Sequence, residues 1–234
     1  MKLLLLSIAC LYLGTAHAVA GFILNPYRFA TSGSAFLLEQ NFEGTGYDNA
    51  ETWTESATGT VDEDNTGTVI AGSQSLRVNI SGQTGSTYAS FTATNDVYCK
   101  FRFRVASTNG GNQVIATIRD GATVLGTLTL AGASRVLRAL AMGGSNGTST
   151  DVLPLNTDIY IWFEYLAGTG ANGICRCGWA TTDSKPSLAS TGAKTGVSSN
   201  GTSTAQPSRL YLGNTGSGTV ECFFDAVQVS ASAF

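Results

Sequence analysis

Apolar and polar side chains alternate along much of this chain, and residues 97–105 show the pattern most clearly. There the odd positions are all apolar, whereas the even positions carry Tyr98, Lys100, Arg102 and Arg104. Such alternation is typical of a β-strand with one face in a hydrophobic core and the other in water. Turning the strand over would bury three cations, which is prohibitively costly. The odd positions are therefore predicted to face inward.

Further segments with the same period, separated by glycine-rich turns, predict a chain built mostly of strands. Asp120-Gly121 predicts a tight hairpin, because both residues tolerate positive φ. Residues 168–173 predict a second, wider hairpin turn, and residues 183–207, rich in Ser, Thr, Gly and Ala, are predicted to form a long surface loop. The predicted strands are 74–81, 97–105, 113–119, 123–130, 135–142, 159–167, 174–180, 209–212 and 219–229.

This pattern predicts an all-β fold, an antiparallel two-sheet sandwich of jelly-roll type. No sustained helical period follows the N-terminal segment. We expect three regions: residues 1–18 as a signal-like hydrophobic segment, residues 19–36 as an N-terminal arm or linker, and residues 37–234 as the sandwich domain.

The first region has the form of an export signal. Met1-Lys2 precedes an apolar run over residues 3–13, and Ala16-His17-Ala18 supplies the small residues of a cleavage site. The run is too short to span a bilayer stably. The alternative is a buried N-terminal helix or strand. The arm, which contains Asn25-Pro26-Tyr27-Arg28-Phe29, is interpreted either as a docking peptide or as a frayed start.

Composition narrows the chemistry open to this chain. Charged residues make up only 12%, and 28 residues are glycine, which suits short strands and tight turns. The net charge of −3, without clustered Lys and Arg, argues against a nucleic-acid partner. The only histidine, His17, lies in the signal-like segment. A processed chain would therefore lack the imidazole that most nucleophile pairs and histidine zinc sites use, and we do not expect an enzyme.

Four cysteines lie in the predicted domain, at Cys99, Cys175, Cys177 and Cys222. Export would favour disulfide bonds among them, whereas packing in the core would leave them as free thiols. Cys175 and Cys177 are two residues apart on one predicted strand, so their side chains share a face. Both interpretations stay open at this point.

Several strand motifs occur in a characteristic order along the chain. They are Phe101-Arg102-Phe103-Arg104-Val105, Val114-Ile115-Ala116-Thr117-Ile118-Arg119-Asp120-Gly121, Ile161-Trp162-Phe163-Glu164-Tyr165, Leu210-Tyr211-Leu212-Gly213 and Phe223-Phe224-Asp225-Ala226-Val227-Gln228-Val229. In this order they resemble the concanavalin A-like (laminin-G-like) lectin and glucanase jelly roll, over roughly residues 37–230. The resemblance implies a fold that binds glycans in some members and cleaves them in others.

The arm and the run Asn41-Phe42-Glu43-Gly44-Thr45-Gly46-Tyr47-Asp48-Asn49 also resemble laminin-G-like proteins found among tailed-phage structural genes. This resemblance implies a non-catalytic virion surface module in tail or head decoration or adhesion, in contact with other virion proteins or with itself. The alternatives are an exported bacterial carbohydrate-binding protein and a glycoside hydrolase or lyase-like enzyme. The expected location is accordingly the virion surface or outside the cell.

A second resemblance concerns a metal. Phe42-Glu43-Gly44 and Phe224-Asp225-Ala226-Val227 resemble segments of carbohydrate-binding modules that hold a structural calcium ion between their termini. This implies that Glu43 and Asp225 are Ca²⁺ ligands, completed by backbone carbonyls. The alternative is that Glu43 caps a turn and Asp225 faces water.

Aromatic residues provide the candidate glycan site. Antiparallel pairing around residues 168–173 places Trp162 near Trp179 on one face, with Cys177 near Glu164. If that face is outward, the two indoles form a flat platform for a polysaccharide or a cell-surface glycan; if it is inward, they belong to the core. Tyr47 and Trp53 are alternative members of a platform.

Carboxylate catalysis lacks its usual pattern. The Glu-x-Asp-x-x-Glu signature of related jelly-roll hydrolases is absent. Glu164, beside Trp162 and Phe163, is the only carboxylate in a strongly apolar setting, and no second acid accompanies it. The leading prediction is the non-catalytic virion surface module that the phage resemblance implies, with glycan binding as a possible second property.

Overall fold

The computed structural model describes residues 36–47, 52–131, 133–168 and 172–234, and for residues 214–217 the backbone alone. In these ranges the regular elements are all β-strands. They are β1 (Leu38–Gln40), β2 (Trp53–Ala57), β3 (Thr60–Asn65), β4 (Ser75–Ser90), β5 (Asp96–Thr108), β6 (Gln113–Asp120), β7 (Thr123–Ala131), β8 (Val136–Ala141), β9 (Asn146–Val152), β10 (Ile159–Leu166), β11 (Gly173–Ala180), β12 (Thr195–Gly201) and β13 (Arg209–Ser230).

The predicted signal-like segment, residues 1–18, and all but the last residue of the predicted arm lie outside the described residues. Among the residues that are described, no helix is long and apolar enough to cross a membrane.

Two long strands, β4 and β13, run through both layers of a sandwich. In the layer that we call sheet I, the first part of β13 pairs with β6 on one side and with the second part of β4 on the other. Sheet I continues through β7, β8 and β9 at one end and β2 at the other.

In the opposite layer, sheet II, the second part of β13 pairs with β5, with the first part of β4 and with β1. Sheet II continues from β5 through β10, β11 and β12, and β3 lies beside β4. All of these pairings are antiparallel, so the predicted antiparallel two-sheet sandwich is confirmed.

The core lies between the sheets and confirms the side-chain orientation predicted for residues 97–105. Val97, Phe101 and Phe103 are buried on the inner side of β5. The rings of Phe101 and Phe103 lie 5.7 and 5.1 Å from the ring of Phe224 on β13, measured between centroids. Each such ring contributes about 1.5–3 kcal/mol through its removal from water, so the alternating pattern anchors sheet II.

The structure corrects the prediction where apolar alternation is weak. The predicted strands 209–212 and 219–229 are two parts of the single strand β13. Strand β12 lies within the predicted loop 183–207, and β9 covers residues for which no strand was predicted. A side chain on Gly147 of β9 would overlap the backbone of Val197 in β12. The two strands approach so closely that only glycine fits at Gly147. The apolar alternation by which a strand is predicted is therefore missing there.

The four described cysteines are all buried free thiols. Burial raises the pKa of each of them, so they stay neutral and poorly reactive at neutral pH. The sequence left open disulfide bonds and free thiols in the core, and the structure contains the free thiols. Cys175 and Cys177 share the inner face of β11, as predicted.

Candidate functional site

The outer face of sheet II carries one of the predicted platform residues, but another segment covers it. Trp162 points outward from β10 and is nevertheless only 1% exposed. It lies opposite Gly178 of β11, and a side chain on that glycine would collide with Leu188 and Pro186. The segment after β11 therefore folds back over this part of the sheet, and Trp162 cannot serve as a surface platform.

The predicted proximity of Trp162 and Trp179 is wrong. The prediction paired residue 167 with residue 174, whereas the structure pairs Leu166 with Ile174. A change of one residue in register exchanges the two faces of a strand. The two indoles therefore point to opposite sides of sheet II.

Trp179 lies in the core and is 5% exposed. The Nζ of Lys194 lies 4.6 Å from its ring centroid. The same register places Glu164 opposite Arg176 instead of near Cys177. Neither predicted tryptophan is thus available as a flat surface for a sugar.

Cations on the outer face of sheet II are matched by acids. Glu164, which is 3% exposed, has Lys185 Nζ at 2.5 Å and Arg176 Nη1 at 4.0 Å. The other pairs on this face are Lys100–Asp183 at 2.6 Å, Arg104–Asp158 at 2.6 Å and Arg102–Asp158 at 3.7 Å. Lys185 and Asp183 belong to the segment that covers Trp162, so these ion pairs hold that segment on the sheet. Glu164 is accordingly placed as a structural anchor.

Tyr47 and Trp53 stack on each other at the edge of the core. Their ring centroids lie 5.4 Å apart at an interplanar angle of 12°, and Trp53 is buried. The Tyr47 hydroxyl lies 2.9 Å from both Glu55 Oε1 and Thr87 Oγ1, and burial raises the pKa of this phenol. The stack closes the core at this edge. A role for these two residues in glycan binding stays a prediction.

The predicted metal ligands Glu43 and Asp225 meet at the loop that precedes β4. The amide of Ala71 and the hydroxyl of Ser75 donate to Asp225 Oδ2 at 3.0 and 2.9 Å. The amide of Ser73 donates to Glu43 Oε2 at 2.9 Å. Asp225 is 1% exposed, so the alternative that it faces water is wrong. Glu43 accepts from the backbone of the loop at Ser73, which agrees with the alternative that Glu43 caps a turn.

The chemistry of these donors fits a calcium ion. The pKa of Asp225 is raised to about 6, mainly because the carboxyl is buried and to a smaller extent because of the negative charge of Glu43. A cation between the carboxylates would relieve that cost, and hard carboxylate oxygens are what Ca²⁺ prefers. Within the described ranges, no group of three or more His, Cys, Asp or Glu side chains could hold a metal. Backbone oxygens would therefore have to complete the coordination shell.

The outer face of sheet I carries an open cleft of about 270 Å³ that the sequence did not reveal. It is lined by Ser56, Thr84, Ser86, Tyr88, Arg119 and Tyr211. Tyr88 of β4 and Tyr211 of β13 lie directly opposite each other, and their rings stack with centroids 4.5 Å apart at 21°. The cleft is therefore built on a pair of neighbouring strands in the middle of the sheet.

Two guanidinium groups flank the stacked tyrosines. The Cζ of Arg119 lies 4.1 Å from the ring centroid of Tyr211, and the Cζ of Arg209 lies 5.2 Å from that of Tyr88. These cation–π contacts hold the guanidinium groups in place. The faces of the two rings are occupied by each other and by the guanidinium groups. A ligand can therefore contact only the phenol hydroxyls and the N–H groups of the arginines.

Two polar groups of this cleft lack partners in the part of the chain that the structure describes. Neither the Tyr88 nor the Tyr211 hydroxyl hydrogen-bonds to another described residue. Each of these hydroxyls can both donate and accept a hydrogen bond. Thr117 Oγ1 and Arg119 Nε also have no hydrogen-bond partner among the described residues, but both atoms are buried and out of reach of a ligand. The cleft can therefore receive, through its hydroxyls, a ligand that both donates and accepts hydrogen bonds.

Part of this cleft has a local signal in the sequence. The alternation over residues 209–212 places Arg209 and Tyr211 on the outward face, opposite the apolar Leu210 and Leu212. What the sequence lacked was the pairing of β4, β13 and β6, which are far apart in the chain.

Comparison with known proteins identifies the fold. The chain is similar to an endo-β-1,4-glucuronan lyase from the fungus Trichoderma reesei, with a TM-score of 0.54 and 14% identity over 84% of this chain and 96% of the other. It is similar to the cellulose-induced protein Cip1, with a TM-score of 0.54 and 17% identity over 84% and 98%. It is also similar to the exoplasmic domain of VIP36 bound to Ca²⁺ and Man3GlcNAc, with a TM-score of 0.50 and 13% identity over 77% and 86%.

No family model and no curated protein matches the sequence. At these identities the structural likeness establishes the fold alone. Together with the observed strand order it confirms the predicted concanavalin A-like jelly roll.

Proposed function

We propose that this β-sandwich is a non-catalytic carbohydrate-binding module that holds a saccharide in the cleft at Tyr88 and Tyr211. The observation that carries the proposal is the polar lining of that cleft, in which the Tyr88 and Tyr211 hydroxyls bond to no other described residue and lie beside the guanidinium group of Arg119. A sugar offers several hydroxyls that each donate and accept. It is therefore the kind of ligand that such a mixed set of donors and acceptors recognises.

The size and surroundings of the cleft support a sugar unit. Its volume of about 270 Å³ lies just below the range of about 300–1,000 Å³ typical of sites for drug-sized ligands. Thr54, Tyr88, Tyr211, Thr117 and Thr127 form one in-register row across neighbouring strands of sheet I. This row gives a polymer a polar path on both sides of the cleft.

One solved structure with this fold supports the proposal by its ligand. VIP36, of which this chain covers 86%, is described as bound to Man3GlcNAc.

The experiment compares retention of the protein on a panel of polysaccharides with that of a Tyr88→Phe/Tyr211→Phe double variant. The loss of two hydrogen bonds to a ligand is expected to lower affinity about tenfold or more. Tyr160→Phe is the matched control, because Tyr160 carries the same side chain on the outer face of sheet II. Equal affinity of the double variant and the native protein would contradict the proposed site, and failure to bind any polysaccharide would contradict the function.

The proposal that the module is not an enzyme has its own test. Glu164, the carboxylate that the sequence places in an apolar setting, is held by Lys185 on the opposite face of the sandwich. Incubation with bound polysaccharides is expected to leave their chain length unchanged and to produce no ultraviolet absorbance from unsaturated sugar ends. Shortening of a polymer by the native protein, and not by the double variant, would reassign the cleft as an active site.

The finer role that we propose for this module is adhesion at a virion surface, as the resemblance of its arm and first strand to phage proteins implies. Sequencing the N-terminus of the natural protein distinguishes this role from export. An intact Met1 in a particle supports the virion, whereas processing after Ala18 supports a secreted carbohydrate-binding protein.

We also propose a structural Ca²⁺ held by Glu43 and Asp225. The ion would tie the loop before β4 to the end of β13 by neutralising two carboxylates that already contact that loop. Calcium is expected to raise the melting temperature of the native protein and not that of Asp225→Asn, since a ligand of the native state stabilises it by mass action. Asp62→Asn is the control, because Asp62 lies on β3. An equal calcium response in all three proteins would contradict the site.

A further inference from the structure

We infer that the cleft on sheet I selects acidic saccharides, with Arg119 and Arg209 receiving the carboxylate or sulfate group of the sugar. The inference rests on the proposed carbohydrate-binding function and adds to it the charge of the ligand. Its basis is the position of Arg119 and Arg209, which face each other and make no described ion pair.

The two arginines lie directly opposite each other in the ladder between β6 and β13. Residues that face each other across an antiparallel pair have Cβ atoms about 4.5–5.5 Å apart, and like charges in such positions destabilise a sheet. Arg209 Nη1 donates to the carbonyl oxygen of Gly121 at 3.3 Å, which orients the group without neutralising it. The fold therefore maintains a repulsive pair beside the cleft.

No acid offsets this pair in the described part of the chain. The described ion pairs involve Arg77, Lys100, Arg102, Arg104, Arg176 and Lys185, and neither Arg119 nor Arg209 is among them. Every outward cation of β5 is matched by Asp158 or Asp183. Arg135, Arg138 and Lys194 also make no described ion pair, but none of them faces another cation in the described strand pairings. Arg119 and Arg209 do face each other, and an anionic group of a ligand would offset their charges.

The geometry of the donors suits an oxyanion. A guanidinium group presents several N–H donors in one plane, which match the two oxygens of a carboxylate or the oxygens of a sulfate. The Nε of Arg119 is buried and has no hydrogen-bond partner in the described ranges, so the N–H groups of Nη1 and Nη2 are the ones that an oxyanion in the cleft would meet. The adjacent hydroxyls of Tyr88 and Tyr211 can bond to the neutral part of the same sugar.

The charge of the whole molecule makes the inference specific. The net charge of −3 opposes general attraction of polyanions. Binding of an acidic polymer would therefore report a local site and not a diffuse basic surface.

The experiment uses matched polymers that differ in charge alone. Affinities are measured for polygalacturonate and for its fully methyl-esterified form, and for dextran sulfate and unmodified dextran. Charge-assisted hydrogen bonds predict that one acidic polymer binds about ten- to a hundredfold more tightly than its neutral counterpart. That preference is expected to weaken as salt rises, because the cleft is open to solvent. The first polymer pair tests a carboxylate as the source of the anion, and the second tests a sulfate.

Arg119→Gln and Arg209→Gln are each expected to remove most of the preference for the acidic polymer, measured as the ratio of its affinity to that of the neutral polymer. Arg138→Gln is the matched control, because it removes the same charge from β8 of sheet I, where Arg138 contacts Thr148. Melting curves of all variants establish that they are folded. If Arg119→Gln does not fold, Arg209→Gln and the salt dependence of the native protein carry the test.

The outcomes separate the two proposals. Equal binding of acidic and neutral polymers, lost in Tyr88→Phe/Tyr211→Phe, would overturn the preference for acidic sugars and leave the carbohydrate-binding function in place. An equal effect of Arg138→Gln and Arg119→Gln would also overturn the inference, since it would indicate diffuse electrostatics. Absence of binding to any polymer would overturn the proposed function together with the inference.

Discussion

The two outer faces of this sandwich differ in how their charges are balanced and in what covers them. On sheet II, Lys185 and Asp183 bring the segment after β11 onto the strands, where it covers Trp162. On sheet I, Arg119 and Arg209 face each other beside an open cleft and are not ion-paired with any described acid. Aromatic and cationic residues thus occur on both faces. On sheet II they are covered and ion-paired, whereas on sheet I they lie beside an open cleft without a described ion pair.

This difference distinguishes cations that stabilise the fold from cations that are available to a ligand. A cation with an acid at 2.5–2.6 Å, as for Lys185 and Lys100, has its charge satisfied within the fold. A cation that lies opposite another cation and lacks such an acid costs stability in the free protein. Evolution tolerates such a cost mostly where a ligand offsets it, so the uncompensated face is the better candidate for binding.

The largest expected effect tests whether Trp162 is part of the folded structure. Trp162→Ala removes a side chain that is 1% exposed and is expected to lower the free energy of unfolding by about 3–5 kcal/mol. Urea unfolding measures the change, and Trp162→Phe, which retains a ring, is expected to lose clearly less. A small loss of stability with complete loss of polysaccharide binding would contradict the comparison and restore the predicted platform.

The second effect tests the anchoring of the covering segment. Glu164→Gln leaves Lys185 and Arg176 without their acid, and it is expected to lower the free energy of unfolding by about 1–3 kcal/mol. This lies between the values for exposed and buried pairs, because Glu164 is buried while 22% of the Lys185 side chain is exposed. A double-mutant cycle with Lys185→Met isolates the pair. Additive losses in the two single variants would show that Glu164 and Lys185 do not interact.

The sequence predicted well those features that depend on neighbouring residues. The alternation of Phe101 and Phe103 with Arg102 and Arg104 predicted both the strand and its inner face, because burial of cations decides the orientation locally. Asp120-Gly121 similarly predicted the hairpin of β6 and β7, whose strands pair at Asp120 and Thr123. Local patterning therefore yielded the sandwich.

Features that depend on distant pairing were not predictable in the same way. The burial of Trp162 depends on the exact register between β10 and β11 and on the position of Leu188. Neither has a signal in the neighbouring sequence. The cleft requires Tyr88 and Tyr211 to meet across more than a hundred residues of chain. The two residues predicted to bind a metal are the exception. Glu43 and Asp225 were brought together by resemblance to a family, and the structure does place both at one loop.

A smaller effect tests the outermost ion pair of sheet II. Asp183→Asn removes the partner of Lys100, and because half of the Asp183 side chain is exposed the expected loss is below about 1 kcal/mol. The loss should shrink further in high salt, since solvent-exposed pairs are screened. A loss as large as that of Glu164→Gln would show that Asp183, and not Glu164, is the main anchor of the segment.

The smallest expected effect concerns the cleft itself. Tyr88→Phe and Tyr211→Phe remove hydroxyls that bond to no other described residue, so the free energy of unfolding should change by no more than about 0.5 kcal/mol. Tyr47→Phe is the matched control. Its hydroxyl lies 2.9 Å from two side-chain oxygens, and its removal is expected to cost about 0.5–1.5 kcal/mol. If the variants of the cleft lost as much stability as Tyr47→Phe, their hydroxyls would already be satisfied within the fold. Sheet I would then lack the unoccupied donors that distinguish it from sheet II.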